Sequence, residues 1–324
     1  MPLFSLAELE AASDLVHAHM PPTPEYAWPL LSKRLGTEVW VKHENHTPTG
    51  AFKVRGGIVY MDGLVRSGLP VKAVVSATRG NHGQSIAYAA SKAGLRSIIY
   101  VPHGNSVEKN AAMRAFGAEL VEHGEDFDTA KAEAGRVAAA EGLHFVPSFH
   151  RDLVLGVATY ALELFSKVRD IDRIYVPIGL GSGIAGVITA RDLLGLDTEV
   201  VGVVSENAAA YALSMQAGRV VPTNTARTFA DGVAVRVPDP QAFGVIAAGA
   251  SRIVQVSDSD IAAAIRAYYV DTHNLAEGAG AAPLAAAMKE GPSLDGKKVA
   301  VVLCGGNIDT QLFRQILDGR TPVA

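Results

Sequence analysis

Strand-like runs rich in Val and Ile, with no polar alternation, recur along this chain and are separated by helical patterns. Val71-Lys72-Ala73-Val74-Val75 and Lys298-Val299-Ala300-Val301-Val302-Leu303 are two of them. Strands buried on both faces read this way. Further strand-like runs, many but not all of this composition, lie at 39–42, 97–101, 118–121, 143–146, 173–178, 199–204 and 252–256. Helical patterns lie at 83–93, 106–116, 126–140, 151–168, 183–194, 258–270 and 309–318. The alternation implies parallel sheets covered by helices, the α/β class. Ser5-Leu6-Ala7-Glu8 reads as a capping box opening a first helix that runs to about His19. Pro21, Pro22 and Pro24 then force an extended connection.

A length of 324 residues suits two domains of about 150 residues each. Segment 71–146 carries consecutive strand–helix units and can form its own sheet. The expected division is a small α/β domain at 70–146 inserted into a large domain built from 1–69 and 147–324, with crossings near Pro70 and Pro147. The hydrophobic share of 48% supports a packed core. The aromatic share is only 6%, beside 32 Gly, so elements pack closely and few rings are available to stack on bases. With 29 basic against 33 acidic residues, the chain lacks the basic surface that nucleic acid demands. No apolar run approaches the roughly 18 residues of a membrane span, so no membrane partner is expected. The lone Cys304 excludes an intramolecular disulfide and a cysteine-based zinc site, and fits a reducing compartment. The first residues show no basic leader before an apolar stretch, so the cytoplasm is the expected location.

Ligands of open parallel sheets bind beyond the carboxyl ends of the strands. Four segments there carry unusual residues. In Thr49-Gly50-Ala51-Phe52-Lys53-Val54-Arg55-Gly56, a polar loop leads into a helix with Lys53 in its first turn. The positive end of the helix dipole and partial burial both lower the pKa of such an ammonium and make a better amine nucleophile. Ser76-Ala77-Thr78-Arg79-Gly80-Asn81-His82-Gly83-Gln84-Ser85 presents many donors at another helix start, which suits a carboxylate. A capping role for Asn81 explains the same residue without a ligand. Pro177-Ile178-Gly179-Leu180-Gly181-Ser182-Gly183-Ile184-Ala185-Gly186 reads as a phosphate cradle. It also contains a G-x-G-x-x-G, with Glu206 about 25 residues on, so a dinucleotide site competes. That alternative leaves the Lys53 and Asn81 loops unexplained. Leu303-Cys304-Gly305-Gly306-Asn307 is a strand end whose small residues can lie beside a flat ligand. None of the 10 His shows metal spacing.

Together these loops resemble the fold-type-II pyridoxal-phosphate enzymes, in particular the serine/threonine dehydratase and serine racemase group. The resemblance covers essentially the whole chain. It implies two open parallel-sheet domains, tryptophan-synthase-β-like, with pyridoxal 5'-phosphate in the cleft between them. It implies that Lys53 forms the Schiff base and later removes the α-proton, with the cofactor phosphate protonating the departing β-hydroxyl. Phe52 would flank the pyridine ring, Asn81 would bond the ring hydroxyl, and Gly179, Leu180, Gly181, Ser182 and Gly183 would hold the phosphate. Cys304 would face the ring nitrogen, where many relatives carry serine. Ser76, Thr78, Arg79, Gly80 and His82 would receive the substrate carboxylate. The implied reaction is β-elimination of a 3-hydroxy amino acid, such as L-threonine or L-serine, to a 2-oxo acid and ammonia; relatives of this group are commonly homodimers.

Three departures qualify the resemblance. Racemases of the group carry a second acid/base, a serine, where this chain has Arg79. Arginine is a poor proton shuttle, so racemisation is disfavoured. Arg79 can instead contact a carboxylate or another polar group on the β-carbon, which admits phenylserine or 3-hydroxyaspartate as substrates. The group's divalent-cation positions align with Val204 and Ala210, so no metal is expected there. No regulatory domain is expected after the last helix.

Overall fold

The computed structural model describes residues 2–323, which form two sheets flanked by helices. The larger sheet contains β1 (Glu25–Ala27), β2 (Glu38–His43), β7 (Arg173–Pro177), β8 (Glu199–Ser205), β9 (Arg252–Val256) and β10 (Lys298–Leu303). Its spatial order is β1-β2-β10-β7-β8-β9. The smaller sheet contains β3 (Val74–Ala77), β4 (Ser97–Val101), β5 (Glu119–Glu122) and β6 (His144–Phe145), in the order β5-β4-β3-β6. Every pairing is parallel except that of β1 with β2. The chain is thus α/β with two parallel-sheet bodies. No helix among the described residues is long and apolar enough to cross a membrane.

The expected elements recur with shifted edges. The run at 71–75 becomes a strand at Val74–Ala77, because Lys72 is exposed and pairing with β4 begins only at Val74. The capping box at Ser5 and Glu8 forms as read. The edge strand β1 falls in the stretch read only as an extended connection; three residues carry no periodic signal. The helix Gly278–Glu290 was equally hidden. It is buried over Gly278–Ala287, is built of small residues and contains Pro283, so it has no polar face to reveal a period.

The helix Lys53–Arg66 crosses the helix Arg151–Lys167 closely, and small residues permit it. A Cβ added at Gly56 would come within 2.6 Å of the Leu153 carbonyl oxygen. Beside this crossing lies a buried ionic cluster. Arg55 is fully buried, and its guanidinium donates to Glu44 at 2.7 and 3.0 Å and to Glu163 at 2.6 and 2.9 Å. Lys42 Nζ, also fully buried, donates to Glu163 at 2.6 Å and to Glu25 at 2.9 Å. Charges in such a place are tolerated only when paired and hydrogen-bonded. Arg55 therefore pins the first turn of its helix to the end of β2 and to the helix Arg151–Lys167.

Burial acts to raise the Glu163 pKa, but Arg55 and then Lys42 outweigh it and hold the carboxyl at about 2. The stability this carboxylate contributes is complete above its ordinary value of 4.5 and is lost as pH falls toward about 2. Arg55→Ala leaves buried Glu44 without a cation and Glu163 without its bidentate partner, and should cost about 3–5 kcal/mol in urea unfolding at neutral pH. It should also weaken the acid-induced loss of stability between pH 4.5 and 2. A cost under about 1 kcal/mol would contradict this role.

Candidate active site

Residues just past the carboxyl ends of β3, β5, β6, β7 and β10 line one cavity of about 490 Å³. Phe52, Lys53, Thr78, Arg79, Gly80, Asn81, His82, Gly179, Leu180, Gly181, Ser182, Gly183 and Cys304 all reach it. Four sequence-distant segments therefore meet in one place. The Lys53 and Cys304 loops are stitched together by backbone bonds. Phe52 N–H donates to the Cys304 carbonyl at 2.9 Å, and Gly306 N–H donates to the Gly50 carbonyl at 2.9 Å.

Lys53 is the first residue of its helix, at the positive end of the dipole. Its Nζ donates to Ser182 Oγ at 2.7 Å and lies 4.9 Å from the centre of the Phe52 ring. Among the described residues no carboxylate pairs with it. Burial lowers its pKa to about 8. The Cys304 thiol is itself buried, and burial pushes its pKa well up, so it stays a neutral thiol.

The helix Asn81–Lys92 starts without a side-chain cap, so Asn81 does not cap it. Its amide is used sideways. Asn81 Nδ2 donates to Glu277 Oε1 at 2.5 Å, and Asn81 Oδ1 accepts from Asn307 Nδ2 at 2.9 Å. His82 is held by a 3.1 Å contact with Ser76 Oγ, and burial, followed by the charge of Lys53, lowers its pKa to about 3. It is a neutral imidazole. The Thr78 hydroxyl accepts from the N–H groups of Gly80 and Gly83 at 2.9 and 3.1 Å, which fixes the loop's shape.

One expected substrate contact does not reach the cavity. Ser76 is fully buried, and its hydroxyl donates to the Val146 carbonyl at 2.9 Å. As part of β3 it points into the packing and supports His82 from behind. Glu206, the acid invoked for a dinucleotide ribose, is exposed and lies off the cavity wall.

Sequence reasoning missed other wall residues. Lys109 is buried and donates to Asp231 at 2.7 Å and to Glu277 at 3.2 Å, and all three line the cavity. Arg236 closes part of the wall by pairing with Asp126 and Asp128. Lys109 sits in a helix of ordinary composition, and Glu277 is a single acid ahead of a Gly/Ala run, so neither stood out. Asn307 did have a signal, because it ends the Cys304 segment.

Comparison with known proteins agrees with this geometry. The family described as "Pyridoxal-phosphate dependent enzyme" matches residues 16–305. The L-threonine ammonia-lyase of Geobacter sulfurreducens is 36% identical over 308 residues, 94% of this chain and 74% of that protein. The biosynthetic L-threonine dehydratase of Pasteurella multocida is 33% identical over 91% of this chain, which spans only 58% of that protein's length. The structure of the processed form of threonine deaminase isoform 2 from Solanum lycopersicum superposes with a TM-score of 0.87 at 29% identity, covering 98% of this chain and 95% of that one. With a match over most of its length, this chain belongs to the pyridoxal-phosphate dependent enzyme family.

Proposed function

We propose that this enzyme dehydrates and deaminates a 3-hydroxy amino acid, such as L-threonine or L-serine, to a 2-oxo acid and ammonia. The observation that carries the reading is Lys53, an amine with a lowered pKa and no carboxylate partner among the described residues, beside the glycine loop and Asn81 in one cavity. The names of the relatives support it. Pyridoxal phosphate is the family's cofactor, and the wall suits it. Gly181 adopts φ +101°, open to glycine, at the start of the helix Ser182–Leu193. The N–H groups of Gly179, Leu180 and Gly181 find no acceptor among the described residues, as an anion cradle requires. When bound, the cofactor supplies an electron sink that makes the substrate α-proton acidic.

The chain's own residues then have distinct tasks. Gly179, Leu180, Gly181, Ser182 and Gly183 would hold the phosphate. Asn81 would offer its second Nδ2 hydrogen to the ring hydroxyl, Phe52 would flank the ring and neutral Cys304 would face the ring nitrogen. Lys53 Nζ takes the α-proton, steadied by the Ser182 hydroxyl. Thr78, Gly80 and neutral His82 shape the seat for the substrate carboxylate. We read the molecule as a homodimer in a reducing cytoplasm. We also read 70–146 as a small domain inserted between 1–69 and 147–324, the cleft being the cavity described above.

One observation favours a second reading of the substrate. Arg79 and Arg227 are exposed on the cavity wall and make no hydrogen bond or ion pair among the described residues. Their neighbours Lys109 and Arg236 are already paired. Two free guanidiniums suit a substrate with a second carboxylate, such as 3-hydroxyaspartate.

Turnover of L-threonine, L-serine, phenylserine and 3-hydroxyaspartate, read as 2-oxo acid formation, tests both readings. Lys53→Ala should lower turnover by at least about 10²–10⁴-fold on every substrate; unimpaired turnover would reject the function. Arg79→Ser should shift preference from acidic or bulky substrates toward serine, and an unchanged preference would reject the second reading. In cofactor-free protein, the rate of cofactor uptake should rise with pH and level off above about 8, as Lys53 loses its proton.

A further inference from the structure

We propose that Glu277 and Asn307 are positioning residues that lock the Asn81 amide in one orientation, so that a single N–H of known direction faces the cofactor ring. The inference rests on the reading of Asn81 given above. The chain of bonds fixes its own polarity. It starts at the Thr49 carbonyl, which can only accept, and which takes a bond from Asn307 Nδ2 at 2.8 Å. The same Nδ2 spends its other hydrogen on Asn81 Oδ1 at 2.9 Å. Asn81 Nδ2 must then face the other way, where Glu277 Oε1 accepts at 2.5 Å. At the far end, Glu277 Oε2 accepts from the Lys109 ammonium at 3.2 Å, and Lys109 is held by Asp231 at 2.7 Å. Turning the Asn81 amide over would place oxygen against a carboxylate at one end and two donors together at the other.

Space for the network is reserved in the backbone. A Cβ at Gly50 would stand 2.5 Å from Asn307 Oδ1, and one at Gly305 would stand 2.5 Å from Glu277 Oε1. Glu277 is 1% exposed, so its acceptor cannot be replaced by bulk water. An Asn81 amide has two Nδ2 hydrogens, and Glu277 takes one. The other is left for the group that enters the cavity.

Two near-isosteric substitutions test this. In Glu277→Gln the single amide oxygen goes to the Lys109 charge, and the NH₂ then confronts Asn81 Nδ2. In Asn307→Asp a carboxylate confronts Asn81 Oδ1 and the Thr49 carbonyl. Both should turn Asn81 away from its donating pose. The readouts are the dissociation constant of pyridoxal phosphate from reconstituted protein and the pH midpoint of the cofactor's visible absorption, with Asn81→Ala as reference. Each variant should weaken cofactor binding about tenfold, one hydrogen bond's worth. Each should also move the midpoint in the same direction as Asn81→Ala. If Asn81→Ala changes both readouts while Glu277→Gln and Asn307→Asp change only the melting temperature, the positioning role is overturned and the reading of Asn81 stands. If Asn81→Ala changes neither readout, the reading of Asn81 fails and the positioning role fails with it.

Discussion

An ammonium that has no carboxylate partner must be held in place by something other than charge. Lys53 meets that condition. Its Nζ has a hydroxyl and an aromatic face for company, and its place is fixed by the helix that carries it. That helix is anchored two residues further on, where Arg55 is clamped between Glu44 and Glu163 in a buried cluster. The strong ion pairs are thus placed on the neighbouring turn, where they anchor the helix without pairing with Lys53. The separation leaves Lys53 desolvated, with its pKa lowered, without leaving the helix loose.

The same division of labour runs around the cavity. Lys109 is neutralised by Asp231 and Glu277, and Arg236 by Asp126 and Asp128. These pairs join segments that follow different strands of the two sheets, so they also shape the wall. Among the described residues of the wall, the N–H groups of the glycine loop, Arg79 and Arg227 have no partner, and Lys53 has only the Ser182 hydroxyl. Each is a donor or a cation, which is the complement expected for a phosphorylated cofactor and a carboxylate-bearing substrate.

Much of this was legible in the sequence. Buried parallel strands announce themselves by unbroken Val and Ile, and most appeared within a few residues of their place. The loops that line the cavity were legible because glycine, hydroxyl and lysine cluster at strand ends. What stayed hidden has a common cause: it depends on partners far away in the chain. Nothing near Glu277 shows that its carboxylate meets Asn81, 196 positions earlier. Nothing near Lys109 shows that its charge is cancelled from two other elements. Ser76 misled for the opposite reason. It belongs by sequence to a ligand loop, but strand alternation turns its hydroxyl inward to Val146. The helix Gly278–Glu290 escaped because a helix buried all round has no period to read.

The central claim is that Lys53, rather than Lys109, the other amine on the cavity wall, is the residue that carries the cofactor. Borohydride reduction of the holoenzyme, followed by mass mapping of its peptides, addresses that claim directly. The account predicts a stable phosphopyridoxyl addition on the peptide containing Lys53 and on no other. An addition on Lys109, or no covalent addition in a protein that turns over its substrate, would contradict it.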